Sequence, residues 1–142
     1  MSFDLQIING DLSILNDGTF SEVQDTAKLV QDISKIIVTP LGSNLFNPWY
    51  GCDVSEKIVG QSLPELLLVQ QIQTSVSNSI NILKQLQSAQ SSTQLVSLAE
   101  QINTIKSITA QYNPSDFREI SVAVSIYSKL MQQVQENFTL TS

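Results

Sequence analysis

The chain opens with two short runs in which polar and apolar residues interleave, Asp4-Leu5-Gln6-Ile7-Ile8 and Asp11-Leu12-Ser13-Ile14-Leu15. Asn9-Gly10 separates them. Both residue types tolerate positive φ, so the pattern predicts a β-hairpin closed by a two-residue type I′ turn. Asn16-Asp17-Gly18 marks a second turn and allows a third strand at Thr19-Phe20. The period then changes. Val23, Ala27, Val30, Ile33 and Ile37 recur at threes and fours, with Leu29 and Ile36 beside them. That spacing predicts an amphipathic helix over 22–38. Ser21 or Asp25 can cap it, and Pro40 ends it, because proline disfavours a helical residue before it.

The second half runs through both periods again. Ser62-Leu63-Pro64-Glu65 reads as a helix start, with proline in the first turn and a carboxylate at the positive end of the dipole. Leu68, Ile72, Val76, Ile80 and Leu83 form its apolar stripe. Ser88-Ala89-Gln90-Ser91-Ser92-Thr93 is small and polar and suits a connection. Leu95, Leu98, Ile102, Ile105 and Ile108 then form a further stripe at helical spacing. The reading is a helical hairpin over 64–111, with one long, weak-centred helix as the alternative. Ile120, Val122, Val124 and Ile126 alternate strictly with Ser121, Ala123, Ser125 and Tyr127, which predicts a strand. Val134 to Leu140 alternates again, giving two antiparallel strands over 118–140. The order strands, helix, helices, strands predicts the α+β class. It implies one small antiparallel sheet from the N-terminal and C-terminal hairpins, packed with the first helix and a central helical hairpin. A length of 142 residues suits one domain.

Composition narrows the function. Seven basic and 13 acidic residues leave a net charge of −6. This argues against nucleic acid as a partner, since phosphate binding needs clustered Lys and Arg, and against an anionic membrane surface. No apolar run of about 18 residues suggests a membrane span, and the first residues lack the basic and apolar regions of a cleaved leader. Charged residues make up only 14% of the chain, against about a quarter in an average domain. Gln, Ser, Asn and Thr replace them, a surface chemistry suited to being covered by partners. Cys52 is the only cysteine and histidine is absent. An internal disulfide, a thiolate zinc site and a histidine-based triad are therefore excluded within one chain, and no metal or cofactor is expected. Two carboxylate pairs can be drawn for glycoside hydrolysis, Asp53 with Glu56 and Asp116 with Glu119. Each reads more simply as a helix cap or a solvated turn, and the chain is read as a non-enzyme. Cys52 reads as a small buried hydrophobe.

Between the halves lies Thr39-Pro40-Leu41-Gly42-Ser43-Asn44-Leu45-Phe46-Asn47-Pro48-Trp49-Tyr50-Gly51-Cys52-Asp53. Prolines and glycines give it an irregular path, and its aromatics fasten it to a core or a neighbour. An Asp-Leu-rich hairpin ending in a glycine turn, a helix containing Leu29-Val30-Gln31-Asp32-Ile33, Thr39-Pro40-Leu41-Gly42 and then Asn47-Pro48-Trp49-Tyr50-Gly51 form an ordered set. In this the chain resembles the small baseplate wedge proteins of contractile phage tails, the W-type or lysozyme-like baseplate family, to which the matching type VI secretion subunit belongs. The likeness covers most of the first 60 residues and the remainder in outline. Many members have Glu-Arg where this chain has Ser43-Asn44, so that family's charged contacts do not carry over.

The resemblance implies a structural subunit of the virion, located in the tail baseplate and in the host cytoplasm during assembly. It implies several copies per ring, packed beside larger wedge subunits and templating the first ring of tail sheath protein. Gly42, Pro48, Trp49, Tyr50 and Gly51 are then candidates for a docking loop, with Trp49 favoured because an indole N–H suits a half-buried position. Ile120, Val122, Val124 and Ile126 are candidates for a sheet edge that accepts a partner strand. The alternatives are the equivalent part of a type VI or tailocin-like injector, a stand-alone α+β binding module, and a cell-wall hydrolase.

Overall fold

In the computed structural model, which describes residues 2–58 and 63–141, the chain begins as a meander of two-residue strands. These are β1 (Asp4–Leu5), β2 (Ile7–Ile8), β3 (Asp11–Leu12) and β4 (Glu22–Val23). β2 and β3 pair antiparallel around Asn9 and Gly10. The φ angles of those two residues are 53° and 83°, as a type I′ turn requires. β1 pairs with β4, and a bridge between Ile14 and Phe20 closes the second turn. Helix α1 (Asp25–Val38) follows, then the short α2 (Val54–Ile58) and the long α3 (Glu65–Ser91). Strands β5 (Ile102–Tyr112), β6 (Glu119–Ser128) and β7 (Gln133–Thr141) complete the chain as one antiparallel sheet, ordered β5-β6-β7.

The fold is α+β, as the order of periods predicts, with an N-terminal and a C-terminal hairpin. The two hairpins do not share a sheet. The meander stands apart in two small ladders, and the C-terminal strands form their own sheet. The core lies between that sheet and the two long helices. Leu29, Ile33 and Ile36 of α1 and Leu68, Ile72, Val76 and Ile80 of α3 meet Ile120, Val122, Val124 and Ile126 of β6. α1 ends where expected, at Thr39-Pro40. Its start comes later than expected, at Asp25, because Glu22 and Val23 are drawn into pairing with β1. Neither Ser21 nor Asp25 caps it. Gln24 occupies the cap position without a side-chain bond, and the Glu100 carboxylate reaches the Asp25 amide at 3.4 Å. Of the expected start of α3, Ser62 lies outside the described residues, and Pro64 precedes the first turn.

The central segment also differs from the expectation. The segment 64–111 is not a helical hairpin: α3 runs unbroken to Ser91, and residues 102–112 are strand β5. The misleading feature is the spacing of three between Ile102, Ile105 and Ile108. In β5 the register skips Asn103 and Lys106, so Ile102, Ile105 and Ile108 stand opposite Ser128, Ile126 and Val124. A β-bulge inserts one residue without a partner, and two bulges turn a period of two into a period of three on the same face. The β-branched residues Ile102, Thr104, Ile105, Ile108 and Thr109 fit the pleated backbone.

Polar side chains staple the layers together. Gln87, buried on α3, donates to the Glu100 carbonyl at 2.8 Å and accepts from the Ile102 amide at 2.9 Å, acting as a substitute strand partner at the start of β5. Lys28 and Asp32 form a buried pair at 2.8 Å. Gln31 donates to the Leu5 carbonyl and accepts from the Ile7 amide, and Lys35 pairs with Asp4, so α1 holds the meander by hydrogen bonds and charge.

Two outcomes follow from these staples. Gln87→Met keeps the volume but leaves a buried carbonyl and a buried amide unpaired, so chemical denaturation should show a loss of about 2–4 kcal/mol. Burial by itself raises the Asp4 carboxyl, but Lys35, Gln31 and the Leu5 amide outweigh it and hold it below the ordinary 3.8. A carboxyl lowered by folding stabilises above its unfolded value and loses that contribution as the pH falls through its folded value. Both side chains are about one-third exposed, at 31% and 36%, so the pair contributes about 0.5–1 kcal/mol. Asp4→Asn should be less stable than wild type by that amount at neutral pH. The gap should close as the pH drops below 3.8. A gap independent of pH would refute the assignment.

Candidate functional site

The loop between α1 and α2 is built from its base upward. Thr39 and Pro40 run beside Cys52 as a parallel bridge, with the Cys52 amide donating to the Thr39 carbonyl at 2.9 Å and the Leu41 amide to the Cys52 carbonyl at 3.1 Å. Ser79 on α3 donates its hydroxyl to the Gly51 carbonyl at 2.9 Å. Serine at 75 and 79, both buried, lets the loop approach the helix closely. Gly51 has φ 128°, and an added Cβ would lie 2.7 Å from the Thr39 carbonyl oxygen. Glycine is therefore required by conformation and by space. Gly42 has φ 81° with open space around it, so it answers only to the turn. The Asn44 side-chain oxygen accepts the amides of Phe46 and Asn47 at 3.0 and 3.2 Å, folding the tip into an Asx turn.

This scaffold presents Leu45 and Phe46 to solvent, 91% and 94% exposed. Pro48 is exposed, Trp49 is 46% exposed, and Tyr50 is half-buried with its ring edge-on to Trp49 at 6.5 Å. Sequence reasoning chose Trp49 and its neighbours and missed Leu45 and Phe46, which stand further out. The available signal was Asn44-Leu45-Phe46-Asn47, two large apolar residues between turn formers.

The structure places Ile120, Val122, Val124 and Ile126 elsewhere. They are at most 1% exposed and lie on β6, the middle strand, paired on both sides. They form the core, not a docking edge. The edges of this sheet are β5 and β7. On β5, α3 side chains take up free carbonyls: Gln73 donates to Ile108 at 2.9 Å and Lys84 to Asn103 at 2.7 Å. Among the described residues no side chain hydrogen-bonds to the backbone of β7, so its outer edge is the less covered of the two. Beside it runs a groove of about 660 Å³ lined by Val23, Ala27, Val30 and Val38 with Glu136 of β7. Ala27 and Val30 were expected on the buried stripe of α1. Leu29, Ile33, Ile36 and Ile37 of that stripe are buried, Val30 packs partly buried against them, Ala27 is exposed, and Ala27 and Val30 floor this groove.

Acid–base chemistry finds little purchase among the carboxylates named from sequence. Asp53 pairs with Lys57 at 2.8 Å. Burial raises its carboxyl, but Lys57 and Ser75 outweigh that and hold it below the usual range, the opposite of what a general acid needs. Glu119 accepts from Asn113 and Asp116 from the Arg118 amide, both within one turn. Burial pushes the Cys52 thiol up, away from a thiolate. No group of three or more metal-ligating side chains converges among the described residues. No helix among them is long and apolar enough to cross a membrane.

The fold so defined is an α+β unit, a three-stranded antiparallel sheet backed by two helices, with a stapled apolar loop and one less covered edge. A crystal structure from Geobacter sulfurreducens, described as a "putative tail lysozyme", has the same fold: the TM-score is 0.60 at 12% identity, covering 80% of this chain and 86% of that one. No family profile and no curated protein matches the sequence.

The two loop glycines should respond differently to alanine. Gly51→Ala meets backbone on both counts and should cost about 2–4 kcal/mol in thermal or denaturant unfolding. Gly42→Ala meets only the left-handed penalty, about 1 kcal/mol. Equal costs would contradict the close approach at Gly51.

Proposed function

We propose that this chain is a structural subunit of a contractile-tail baseplate, working by non-covalent assembly and without chemistry of its own. The observation that carries the reading is the stapled loop holding Leu45 and Phe46 almost fully in solvent. A soluble protein gains nothing from a hydrogen-bonded apolar tip in water, whereas a preorganised anchor binds with little ordering cost. The ordered motif set of the first 60 residues and the likeness of fold to a protein described as a "putative tail lysozyme" support the baseplate setting. Larger wedge subunits are the partners proposed for the loop, where Leu45, Phe46 and Trp49 fill apolar pockets. The tail sheath protein is the partner proposed for the sheet, adding a strand to β7. An added strand would continue the inner face of Val134, Phe138 and Leu140, and its alternate side chains would cover the groove along α1. The same parts serve equally in a type VI or tailocin-like injector.

Two experiments test this. Leu45→Ser with Phe46→Ser should leave the melting temperature nearly unchanged, because both side chains already face water. Incorporation into tails should fall roughly 30-fold or more, as for loss of a buried anchor. Incorporation at wild-type occupancy would remove the docking role. Hydrogen exchange should show residues 133–141 protected in assembled particles beyond their protection in the isolated chain. Equal protection would end the strand-addition reading, and absence of the chain from purified tails would end the baseplate reading. Turnover of peptidoglycan by the pure chain, abolished by Glu56→Gln or Glu119→Gln, would replace both with a hydrolase.

A further inference from the structure

Charge is divided unevenly over this molecule. Residues 2–27 hold Asp4, Asp11, Asp17, Glu22 and Asp25 and neither lysine nor arginine. Lys35 neutralises Asp4. Asp11, Asp17 and Glu22 are exposed and have no ion-pair partner among the described residues. Between them stand Ile7, Ile8, Leu12, Ile14, Leu15 and Phe20, each 42–62% exposed. The α1 staples hold β1 and β2 in place, so the meander presents exposed apolar side chains interspersed with acids.

The opposite chemistry gathers where β5 begins. Lys84 donates to the Asn103 carbonyl at 2.7 Å, Lys106 to the Gln133 side chain at 3.1 Å, and Lys129 to the Gln101 side chain at 2.6 Å. Every one of these acceptors is a neutral oxygen. Among the described residues none of the three lysines pairs with a carboxylate, so their charge is not cancelled. Glu100, the one acid between residues 66 and 115, is buried at the start of α1. The β6–β7 turn puts Leu130 and Met131 among these lysines, 50% and 66% exposed. Asn103 donates to the Met131 sulfur at 3.4 Å. Met131 has φ 60°, a conformation that costs a bulky residue about 1–2 kcal/mol. An exposed methionine held there at a cost is what a contact residue looks like.

We propose that the acidic apolar meander of one copy docks on the basic apolar corner of a second copy. The two surfaces match in both respects, carboxylates against ammonium groups and aliphatic side chains against Leu130 and Met131. They share no residue, so the contact is heterologous, and it closes into a ring or extends into a filament according to the rotation it imposes. The contact is read on the purified chain without tails, so its failure is distinguishable from failure of the baseplate reading, although Ile7 also lines the groove beside β7 and Lys106 also bonds Gln133 of β7.

Sedimentation of the purified full chain at low and high salt tests it. Wild type should self-associate with rising concentration and dissociate as salt shortens the screening length from about 30 Å to about 8 Å. Two charge-reversed variants decide the geometry. Asp11→Lys with Asp17→Lys removes the acidic surface, and Lys106→Glu with Lys129→Glu removes the basic one. All four positions are exposed, so both variants should fold. Each alone should be monomeric. Mixed, they should associate again, because the retained acidic meander meets the retained basic corner and the reversed meander meets the reversed corner. Three results would overturn the proposal: a wild type monomeric up to about 1 mM, where even weak specific contacts form; association that survives both reversals; or a mixture that stays monomeric.

Discussion

The structure depends on the inner face of β6. Ile120, Val122, Val124 and Ile126 lie at the centre of the core, where α1 and α3 close over them. A strand buried on one face and paired along both edges has one register, because a slip of one residue would turn four apolar side chains to water. That register sets the rest. It places β7 outermost on one side, and it forces β5 to bulge twice so that three isoleucines spaced by three all meet the same face. It also aligns α3, whose Gln87 holds the start of β5 and whose Ser79 holds the base of the long loop.

The bulges link fold and surface. A residue skipped by the ladder is released from the pleat. Here the released residues are Asn103 and Lys106, and both belong to the basic corner. The loop shows the same economy. Gly51 allows the backbone to pass within contact of Thr39 and Pro40, Ser79 ties it down, and the hydrogen-bonded tip carries Leu45 and Phe46 outward. In both places a device that satisfies the core also produces an exposed, ordered feature. The surfaces proposed for docking are therefore built by the chain's own packing.

The proposed roles fall on separate parts: the loop tip for a wedge pocket, the β7 edge with its groove for a strand, and the two charged apolar surfaces for a second copy. The loop tip shares no residue with the other two, whereas Ile7 of the meander also lines the groove beside β7 and Lys106 of the basic corner also bonds Gln133 of β7. The low charge content fits the same economy, since each charge buried at an interface must be paired or it opposes binding.

How much was legible in the chain alone follows the range of the interactions. Local chemistry was legible. The Asn9-Gly10 turn, the end of α1 at Pro40, the α3 stripe, and the period-two strands over 118–140 depend on neighbours within a few residues. So did the loop, because proline, glycine and aromatic residues declare an irregular path. What depends on distant partners was not. The strand at 102–112 carries a helical spacing, and only pairing with β6 shows that bulges produce it. The side chains Ile120 to Ile126 read equally well as an edge or a centre, since alternation reports that one face is buried but not what lies beside the strand. Exposure of Leu45 and Phe46 above Trp49 likewise came from the Asx turn and the clamp at Gly51. Period and turn chemistry are properties of the segment itself. Strand order, bulges and the direction a loop tip faces are set by contacts between segments far apart in sequence, and those exist only once the chain has folded.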